Sequence, residues 1–186
     1  ILGPGVNIKR SPLCGRNFEY LSEDPLLAGE LGAAYVNGVQ SQGVGACVKH
    51  FLVNSQETRR MMSSSEVDER TMREIYMPAF ETVVKKAEPW SIMASYNKIN
   101  GTYATESRDY LTDVLRGEWG FDGMVVSDWG ATHDRVKAVA AGCDLTMPGA
   151  TNTDKEIVEA VKGGVLPEFL LDTAAENVIF FALRGN

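Results

Sequence analysis

The sequence predicts an α/β protein that forms part of a (β/α)8 TIM-type barrel, with the early strands of the barrel absent from this chain. Helical and short apolar segments alternate along the chain, and the apolar segments are continuous, as in buried parallel strands. Polar side chains follow these segments directly, where barrel enzymes carry their chemistry. About five strand segments are found, whereas closure takes eight strands and about 250 residues. Residues 1–186 therefore read as one partial catalytic domain.

The first part of the chain opens on a strand and a helix. Residues 1–8 are predicted to form the end of a buried strand. A helix follows from residue 25 to about residue 42, with Ser22 or Asp24 as its cap and Pro25 at a position that proline favours. The apolar residues on one face of this helix are Leu27, Leu31, Ala34, Tyr35 and Val39.

The middle of the chain is predicted to alternate strand, helix and strand. A strand over residues 45–49 is followed by a polar stretch, residues 54–65. Ser65 then caps a helix over residues 66–86, which Pro78 kinks. An apolar strand over residues 90–95 leads into a loop at residues 98–106.

The last part of the chain completes the alternating pattern. Ser107 caps a helix that runs to about residue 119, and a buried strand covers residues 123–127. A helix near residues 132–141 and a strand-like segment at residues 144–147 come next. Gly163 and Gly164 separate two final helices, and Pro167 opens the second of them.

Composition excludes several classes of protein. Eighteen basic against twenty-five acidic residues give a net charge of −7, which disfavours nucleic acids and anionic membranes as partners. No apolar run approaches a membrane span. The three widely spaced cysteines form no Cys-x-x-Cys pair, so a zinc or redox motif is unsupported. No signal peptide is evident within the segment, and the compartment stays open.

The residues that follow the strands suggest a carbohydrate site. They are Arg16, Lys49, His50, Tyr96, Asn97, Asp128 and Trp129. A carboxylate can attack an anomeric carbon, cationic and imidazole groups suit hydroxyl oxygens, and tryptophan offers a flat surface for a sugar ring. Because no Gly-rich cradle accompanies them, a polyol fits better than a phosphate.

Seven ordered motifs carry a family resemblance. They are Gly15-Arg16-Asn17-Phe18-Glu19, Ser22-Glu23-Asp24-Pro25, Lys49-His50-Phe51, Ser95-Tyr96-Asn97, Asn100-Gly101, Glu118-Trp119-Gly120-Phe121 and Ser127-Asp128-Trp129. Over essentially its whole length, the chain resembles the amino-terminal catalytic domain of glycoside hydrolase family three, in its β-glucosidase branch.

The resemblance implies a role for each matching residue. Asp128 matches the catalytic nucleophile, which forms a covalent glycosyl-enzyme intermediate. The positions that match sugar-binding residues of the same subsite are Arg16, Lys49, His50, Arg60, Tyr96 and Trp129. No cofactor and no metal are implied.

Structural alternatives stay open at several of these positions. Asp128 could cap the following helix, and Arg16 could pair only with Glu19 or Glu23. Lys49 could be a solvated charge, His50 a structural histidine, and Tyr96 and Trp129 core aromatics. We expect Glu19, Glu23 and Asp24 to be structural. We expect no metal site at His133 and Asp134, because two adjacent residues do not make one.

The second carboxyl group that retaining hydrolysis needs has no compelling candidate here. In the β-glucosidase branch it is a glutamate of a following α/β sandwich domain. The β-N-acetylhexosaminidase branch uses a His-Asp pair instead, but residues 51–58 contain no histidine. The family's early sugar-binding aspartate would lie before Ile1. The remaining strands and the sandwich domain are thus expected as partners.

The resulting prediction is a retaining, exo-acting β-glucosidase acting on terminal β-D-glucosyl residues, the isolated segment being inactive or very weak. Three alternatives remain. One is a β-xylosidase of the same family, and a second is a non-catalytic sugar-binding or structural fragment. The last is a barrel aldolase in which Lys49 forms a Schiff base.

Overall fold

The central sheet of the protein consists of parallel strands. In a computed structural model that describes residues 1–185, the strands β1 (Cys47–Phe51), β3 (Ser91–Ala94) and β6 (Met124–Ser127) pair in parallel in that order. The strands are short and buried on both faces apart from Lys49 of β1, which is half-buried, as parallel strands covered by helices are. The order of the strands in the sheet is their order in the sequence, which confirms the predicted α/β class.

Single bridges extend this sheet at both edges. Gly5 bridges in parallel to Lys49 of β1, and Leu145 bridges in parallel to Val126 of β6. The predicted strand end at residues 1–8 and the strand-like segment at residues 144–147 are thus reduced to single bridges, although both segments lie where a barrel strand would. Pro4 lacks the amide hydrogen that a longer ladder would need at the first edge.

The first helix, α1 (Pro25–Gln40), begins as predicted, with Asp24 as its cap and a hydrogen bond of 2.7 Å from the amide of Leu27. It ends two residues earlier than predicted. The face that α1 buries is lined by Ala28, Gly29, Gly32, Ala33 and Val36. On the apolar face singled out in the sequence, Leu27, Leu31, Ala34 and Tyr35 are exposed and Val39 is half-buried. Small residues occupy the buried face because α1 packs closely on the helix at residues 78–87.

The predicted helix over residues 66–86 is divided into three parts. Ser64–Ser65 forms β2 instead of a cap, and α2 (Glu69–Thr71) begins after Asp68, whose side chain accepts from the amide of Thr71. A π-helical turn, Met72–Tyr76, follows. Since proline has no amide hydrogen, Pro78 starts a new helix, α3 (Pro78–Ala87).

The predicted loop at residues 98–106 contains regular structure. Lys98–Ile99 (β4) and Thr102–Tyr103 (β5) form an antiparallel hairpin, and β4 also pairs in parallel with β2. A short 3-10 turn, Ala104–Glu106, ends this segment. The hairpin follows β3 after three intervening residues and belongs to a second small sheet with β2.

The remaining helices agree with the prediction in number and order. A π-helix spans Asp109–Glu118, and α4 (Arg135–Ala141), α5 (Thr151–Lys162) and α6 (Glu168–Arg184) follow β6. No helix in residues 1–185 is long and apolar enough to cross a membrane. The three cysteines are free and buried in the part of the chain that the structure describes.

The strands bury both of their faces. Val48, Ile92 and Val125 belong to the main core with α1 and α3. Their neighbours along the strands point to the opposite face and belong to a second cluster, with α6 against it; these are Cys47, Met93, Met124 and Val126. Both faces of the sheet are therefore covered, and the polar side chains are confined to the ends of the strands.

Candidate active site

The carboxyl ends of the parallel strands bring the candidate residues to one edge of the sheet. Lys49 and His50 lie in β1, Tyr96 lies two residues beyond β3, and Asp128 directly follows β6. The amide of Asp128 donates to the carbonyl of Ala94 at the end of β3, over 2.9 Å. This bond continues the ladder by one residue and fixes the backbone of Asp128 against its neighbour.

The Asp128 carboxylate presents one oxygen to the site. Its Oδ1 accepts a hydrogen bond from the amide of Trp129 at 2.7 Å. Its Oδ2 lies 3.7 Å from Nη1 of Arg16 and 3.6 Å from Nε2 of His50. Oδ2 is buried and accepts no hydrogen bond from residues 1–185. An oriented carboxylate oxygen beside a guanidinium, with no hydrogen bond of its own, is a group that can attack an electrophile.

Glu19 joins two of the candidate cations. Its Oε1 accepts from Nε of Arg16 at 2.6 Å, and its Oε2 lies 3.0 Å from Nζ of Lys49. Burial raises the pKa of Glu19, but the bonds from Arg16 and Lys49 outweigh it, so the pKa of Glu19 lies below its usual range. Burial also lowers the pKa of Arg16, and the bond to Glu19 more than offsets it, so that pKa is raised. Glu19 therefore holds both cations at the rim of the site.

His50 is held from two sides. Asn7 bonds its backbone twice, because Oδ1 accepts from the His50 amide at 2.6 Å and Nδ2 donates to its carbonyl at 2.9 Å. The Tyr20 hydroxyl lies 3.1 Å from Nδ1 of the ring. Burial lowers the pKa of His50 to about 2, with the nearby cations, Arg16 and Lys49 first, adding to the effect. The imidazole is therefore neutral at neutral pH.

Tyr96 and Arg60 form the other side of the site. The guanidinium of Arg60 lies 4.5 Å from the centre of the Tyr96 ring and pairs with Glu57 at 2.6 Å. Burial raises the pKa of Tyr96, and the charge of Asp128 raises it further. The Tyr96 phenol therefore keeps its proton near neutral pH.

The structure decides between several alternatives left open by the sequence. Asp128 does not cap α4, since Asp134 does so by accepting from the amide of Lys137 at 3.0 Å. Arg16 pairs with Glu19 and also faces Asp128. The side chain of Lys49 is only 16% exposed and is ion-paired with Glu19, so it is not a solvated charge. Glu23, like Asp24, lies outside the site.

The positions of the aromatic side chains bear on the remaining alternatives. Trp129 is 63% exposed and so is no core residue, whereas Tyr96 is buried and borders the site. His133 stacks on Tyr103, with ring centres 3.8 Å apart. Within residues 1–185 no group of three or more histidine, cysteine or carboxylate side chains could hold a metal ion.

Three residues that contact the site were not among the sequence candidates. From the sequence, Glu19 is expected to be structural, and neither Asn7 nor Tyr20 is among the candidates. The pairing of Glu19 with Arg16 is among the alternatives that the sequence offers, but its second bond, to Lys49 thirty positions away, has no local signal. Asn7 and Tyr20 lie 43 and 30 positions from His50, so no local pattern reveals them.

A model of the family described as "Glycosyl hydrolase family 3 N terminal domain" matches residues 1–180. The chain is 62% identical to the thermostable beta-glucosidase B of Acetivibrio thermocellus, over all of this chain and 25% of that protein. It is 56% identical to an exo-alpha-(1->6)-L-arabinopyranosidase of Bifidobacterium longum, over 96% of this chain and 24% of the relative.

A solved structure agrees with these relatives. Beta-glucosidase 3B from Thermotoga neapolitana, in complex with alpha-D-glucose, is 50% identical and superposes with a TM-score of 0.96. The match covers 98% of this chain and 27% of that one. The predicted fold, a partial barrel, is confirmed by this likeness. The chain spans about a quarter of the length of the relatives that it matches.

Proposed function

This chain belongs to glycosyl hydrolase family 3, and we propose that it forms the nucleophile-bearing part of a retaining, exo-acting β-glucosidase. The substrate is a β-glucoside whose terminal β-D-glucosyl residue is released. The observation that carries the proposal is the Asp128 carboxylate, buried at the end of β6 with Oδ2 directed to the cations and accepting no hydrogen bond from the described residues.

The reaction proceeds in two displacements. Oδ2 of Asp128 attacks the anomeric carbon, a covalent bond forms between them, and the glycosidic bond breaks as its oxygen takes a proton from an acid. Water then attacks the same carbon, gives its proton to the conjugate base, and releases Asp128. The bond from the Trp129 amide to Oδ1 supports this role, because it orients the carboxylate at no cost when the substrate binds.

The residues around Asp128 are suited to sugar hydroxyls. Arg16, Lys49 and His50 supply donors on one side of the carboxylate, and Arg60 supplies another beside Tyr96. Arg16 also places positive charge 3.7 Å from the attacking oxygen. In this proposal the exposed Trp129 offers its ring as a platform at the edge of the subsite.

The acid/base glutamate is proposed to come from polypeptide outside these residues, in an α/β sandwich domain. The two glutamates that border the site support this, because Glu19 is bonded to Arg16 and Lys49, and Glu57 is bonded to Arg60. The bonds from Arg16 and Lys49 hold the pKa of Glu19 below its usual range, so Glu19 is a poor proton donor near neutral pH. The remaining barrel strands are proposed to come from outside as well. The proposed reaction uses carboxyl groups alone and calls for neither metal nor cofactor.

The test replaces Asp128 in the full-length protein. Asp128→Asn should reduce glucoside hydrolysis by several orders of magnitude and leave the fold intact, because the amide cannot form the covalent intermediate. Asp122→Asn, at an exposed position, is the matched control and should keep full activity. A 2-fluoro-glucoside should label Asp128 in the wild type. Undiminished turnover by the asparagine variant, or a label on another residue, would sink the assignment.

A second candidate substrate follows from one relative. The relative from Bifidobacterium longum at 56% identity is named an exo-alpha-(1->6)-L-arabinopyranosidase. An L-arabinopyranosidase is therefore the second candidate, and a β-xylosidase remains a further option for the same site. Rates on 4-nitrophenyl β-D-glucoside, α-L-arabinopyranoside and β-D-xyloside separate the three, and we expect the glucoside to give the highest kcat/KM.

A further inference from the structure

We propose that Tyr20 is a positioning residue: its hydroxyl donates to Nδ1 of His50 and so keeps the imidazole in the tautomer that carries its proton on Nε2. Nε2 is the nitrogen that faces Asp128. The inference rests on the proposed function and deepens it, because it assigns a donor at the sugar site and the residue that maintains it.

The two side chains are packed tightly enough for this contact to be persistent. Tyr20 is 3% exposed and His50 is 1% exposed. Their rings meet edge to face, with centres 6.0 Å apart and an angle of 69°. The Tyr20 oxygen lies 3.1 Å from Nδ1. The two bonds from Asn7 fix the backbone of His50, the point from which the ring projects toward Tyr20.

The Tyr20 hydroxyl has one proton and two acceptors within reach. Besides Nδ1, the carbonyl of Asn54 lies 3.3 Å away. If the proton goes to Nδ1, then Nε2 carries the ring proton. If it goes to Asn54, the Tyr20 oxygen accepts from Nδ1–H, and Nε2 is left with a lone pair.

The surroundings of Nε2 select the first arrangement. Nε2 lies 3.6 Å from Oδ2 of Asp128, and an ionised carboxylate oxygen is an acceptor only. A lone pair on Nε2 would face the lone pairs of this oxygen, whereas an N–H would be attracted to it. Oδ2 accepts no hydrogen bond from residues 1–185, and the other cationic neighbour described for it, Nη1 of Arg16 at 3.7 Å, leaves room for the N–H of Nε2 to point toward it. The Tyr20 oxygen is also closer to Nδ1, at 3.1 Å, than to the carbonyl of Asn54, at 3.3 Å, which agrees with this arrangement.

A doubly protonated ring does not compete. Burial and the positive charges of Arg16, Lys49 and Arg60 lower the pKa of His50 to about 2. The ring is therefore neutral at the pH of any assay near neutrality, and the choice lies between two neutral tautomers. Tyr20 then decides whether Nε2 acts as a donor or as an acceptor toward the substrate.

The kinetic test uses the full-length enzyme and three variants. Tyr20→Phe keeps the ring and removes the donor, so kcat/KM on a β-glucoside should fall roughly 10- to 100-fold. Tyr35→Phe, which removes a half-exposed hydroxyl in α1, is the matched control and should behave as the wild type. His50→Gln is assayed on a series of glucosides that each lack one hydroxyl. On the substrate that lacks the hydroxyl bound by Nε2, this variant should have the same kcat/KM as the wild type, which identifies that hydroxyl.

The same substrate separates positioning from general damage. On that monodeoxy glucoside Tyr20→Phe should also show no defect, because the contact it maintains is already missing. An equal loss on every monodeoxy glucoside would mean that Tyr20 acts on the fold alone and would overturn the inference. Loss by Tyr20→Phe together with full activity of Asp128→Asn would instead refute the proposed function.

Nitrogen-15 resonances of the His50 ring in the wild-type enzyme give a direct readout of the tautomer. In the wild type, Nε2 should resonate as a protonated nitrogen and Nδ1 as an unprotonated one, with His50→Gln providing the assignment. In Tyr20→Phe, both nitrogens should move toward intermediate positions as the second tautomer becomes populated. A wild-type ring with its proton on Nδ1 would overturn the inference, even if Tyr20→Phe failed to fold.

Discussion

The packing of α1 provides a stability prediction with a magnitude that follows from distances. A methyl group added at Gly32 would lie 2.7 Å from Cγ1 of Val6 and 2.9 Å from Cγ2 of Val83. Both valines are fully buried and cannot swing aside. Overpacking of this kind costs about 1–3 kcal/mol. We therefore expect Gly32→Ala to destabilise α1 against its neighbours.

The higher helix propensity of alanine stabilises α1 and so opposes the steric cost of Gly32→Ala. A control variant in the same helix separates the two contributions. Alanine is favoured over glycine inside a helix by about 1 kcal/mol. Gly38 lies in the same helix with nothing within 4 Å of the position of its missing methyl group, so Gly38→Ala should stabilise the protein. The difference between the two variants isolates the steric cost. Gly32→Ala should be about 1–3 kcal/mol less stable than Gly38→Ala.

Urea unfolding followed by tryptophan fluorescence measures this difference, and a thermal melt gives an independent value. At about 2–4 °C for each kcal/mol, Gly32→Ala should melt a few degrees to about ten degrees below Gly38→Ala. Val6 also precedes Asn7, which holds His50, so kcat/KM should fall in Gly32→Ala alone. Equal stability of the two variants would refute the close packing of α1.

Three further predictions concern charged groups. Glu19→Gln should raise KM for a glucoside about tenfold or more, because it weakens charge-assisted bonds to two cations, whereas Glu23→Gln, at an exposed position, should leave KM unchanged in the same assay. Burial lowers the pKa of His50 from 6.5 to about 2 in the folded state, so that between these pH values the unfolded state binds a proton that the folded state does not. The free energy of unfolding therefore falls as pH decreases through this range. His50→Gln should flatten that slope by up to about 1.4 kcal/mol per pH unit in melts from pH 7.5 to 4.5, and an unchanged slope would contradict the low pKa. Asp144→Ala should lower the free energy of unfolding in urea by about 3–5 kcal/mol, because it leaves the partly buried Arg116 without its carboxylate. Asp122→Ala removes an exposed ion pair and should have little effect, and a similar loss in this variant would show that burial is not the cause.

Much of the architecture could be predicted because its signals are local. Each buried strand is a short apolar run, and the polar residues at its end follow within one or two positions, as Asp128 follows β6. The helix starts were predictable where a cap stands beside a proline, as at Asp24 and Pro25. The hairpin at residues 98–103 was missed because its strands are two residues long and its pairing with β2 is not local.

The buried face of α1 could not be predicted from hydrophobicity. Leu27, Leu31 and Tyr35 form an apolar stripe, yet each is at least 44% exposed. The helix instead turns Gly29 and Gly32 inward, because only residues without a side chain allow the close approach to Val83 and Thr82. Apolar area favours one face and steric fit the other, and the fit depends on a partner helix about fifty residues away.

By itself the sequence determined which chemical groups stand at the strand ends, and this was enough to indicate the fold, the family and Asp128 as candidate nucleophile. Only the tertiary structure decided what each group touches. Asn7, Tyr20 and Glu19 acquire their roles because the parallel ladder aligns Gly5 with Lys49, which brings segments some forty residues apart into hydrogen-bond distance. Strand register is a property of the packed sheet, and no single segment encodes it.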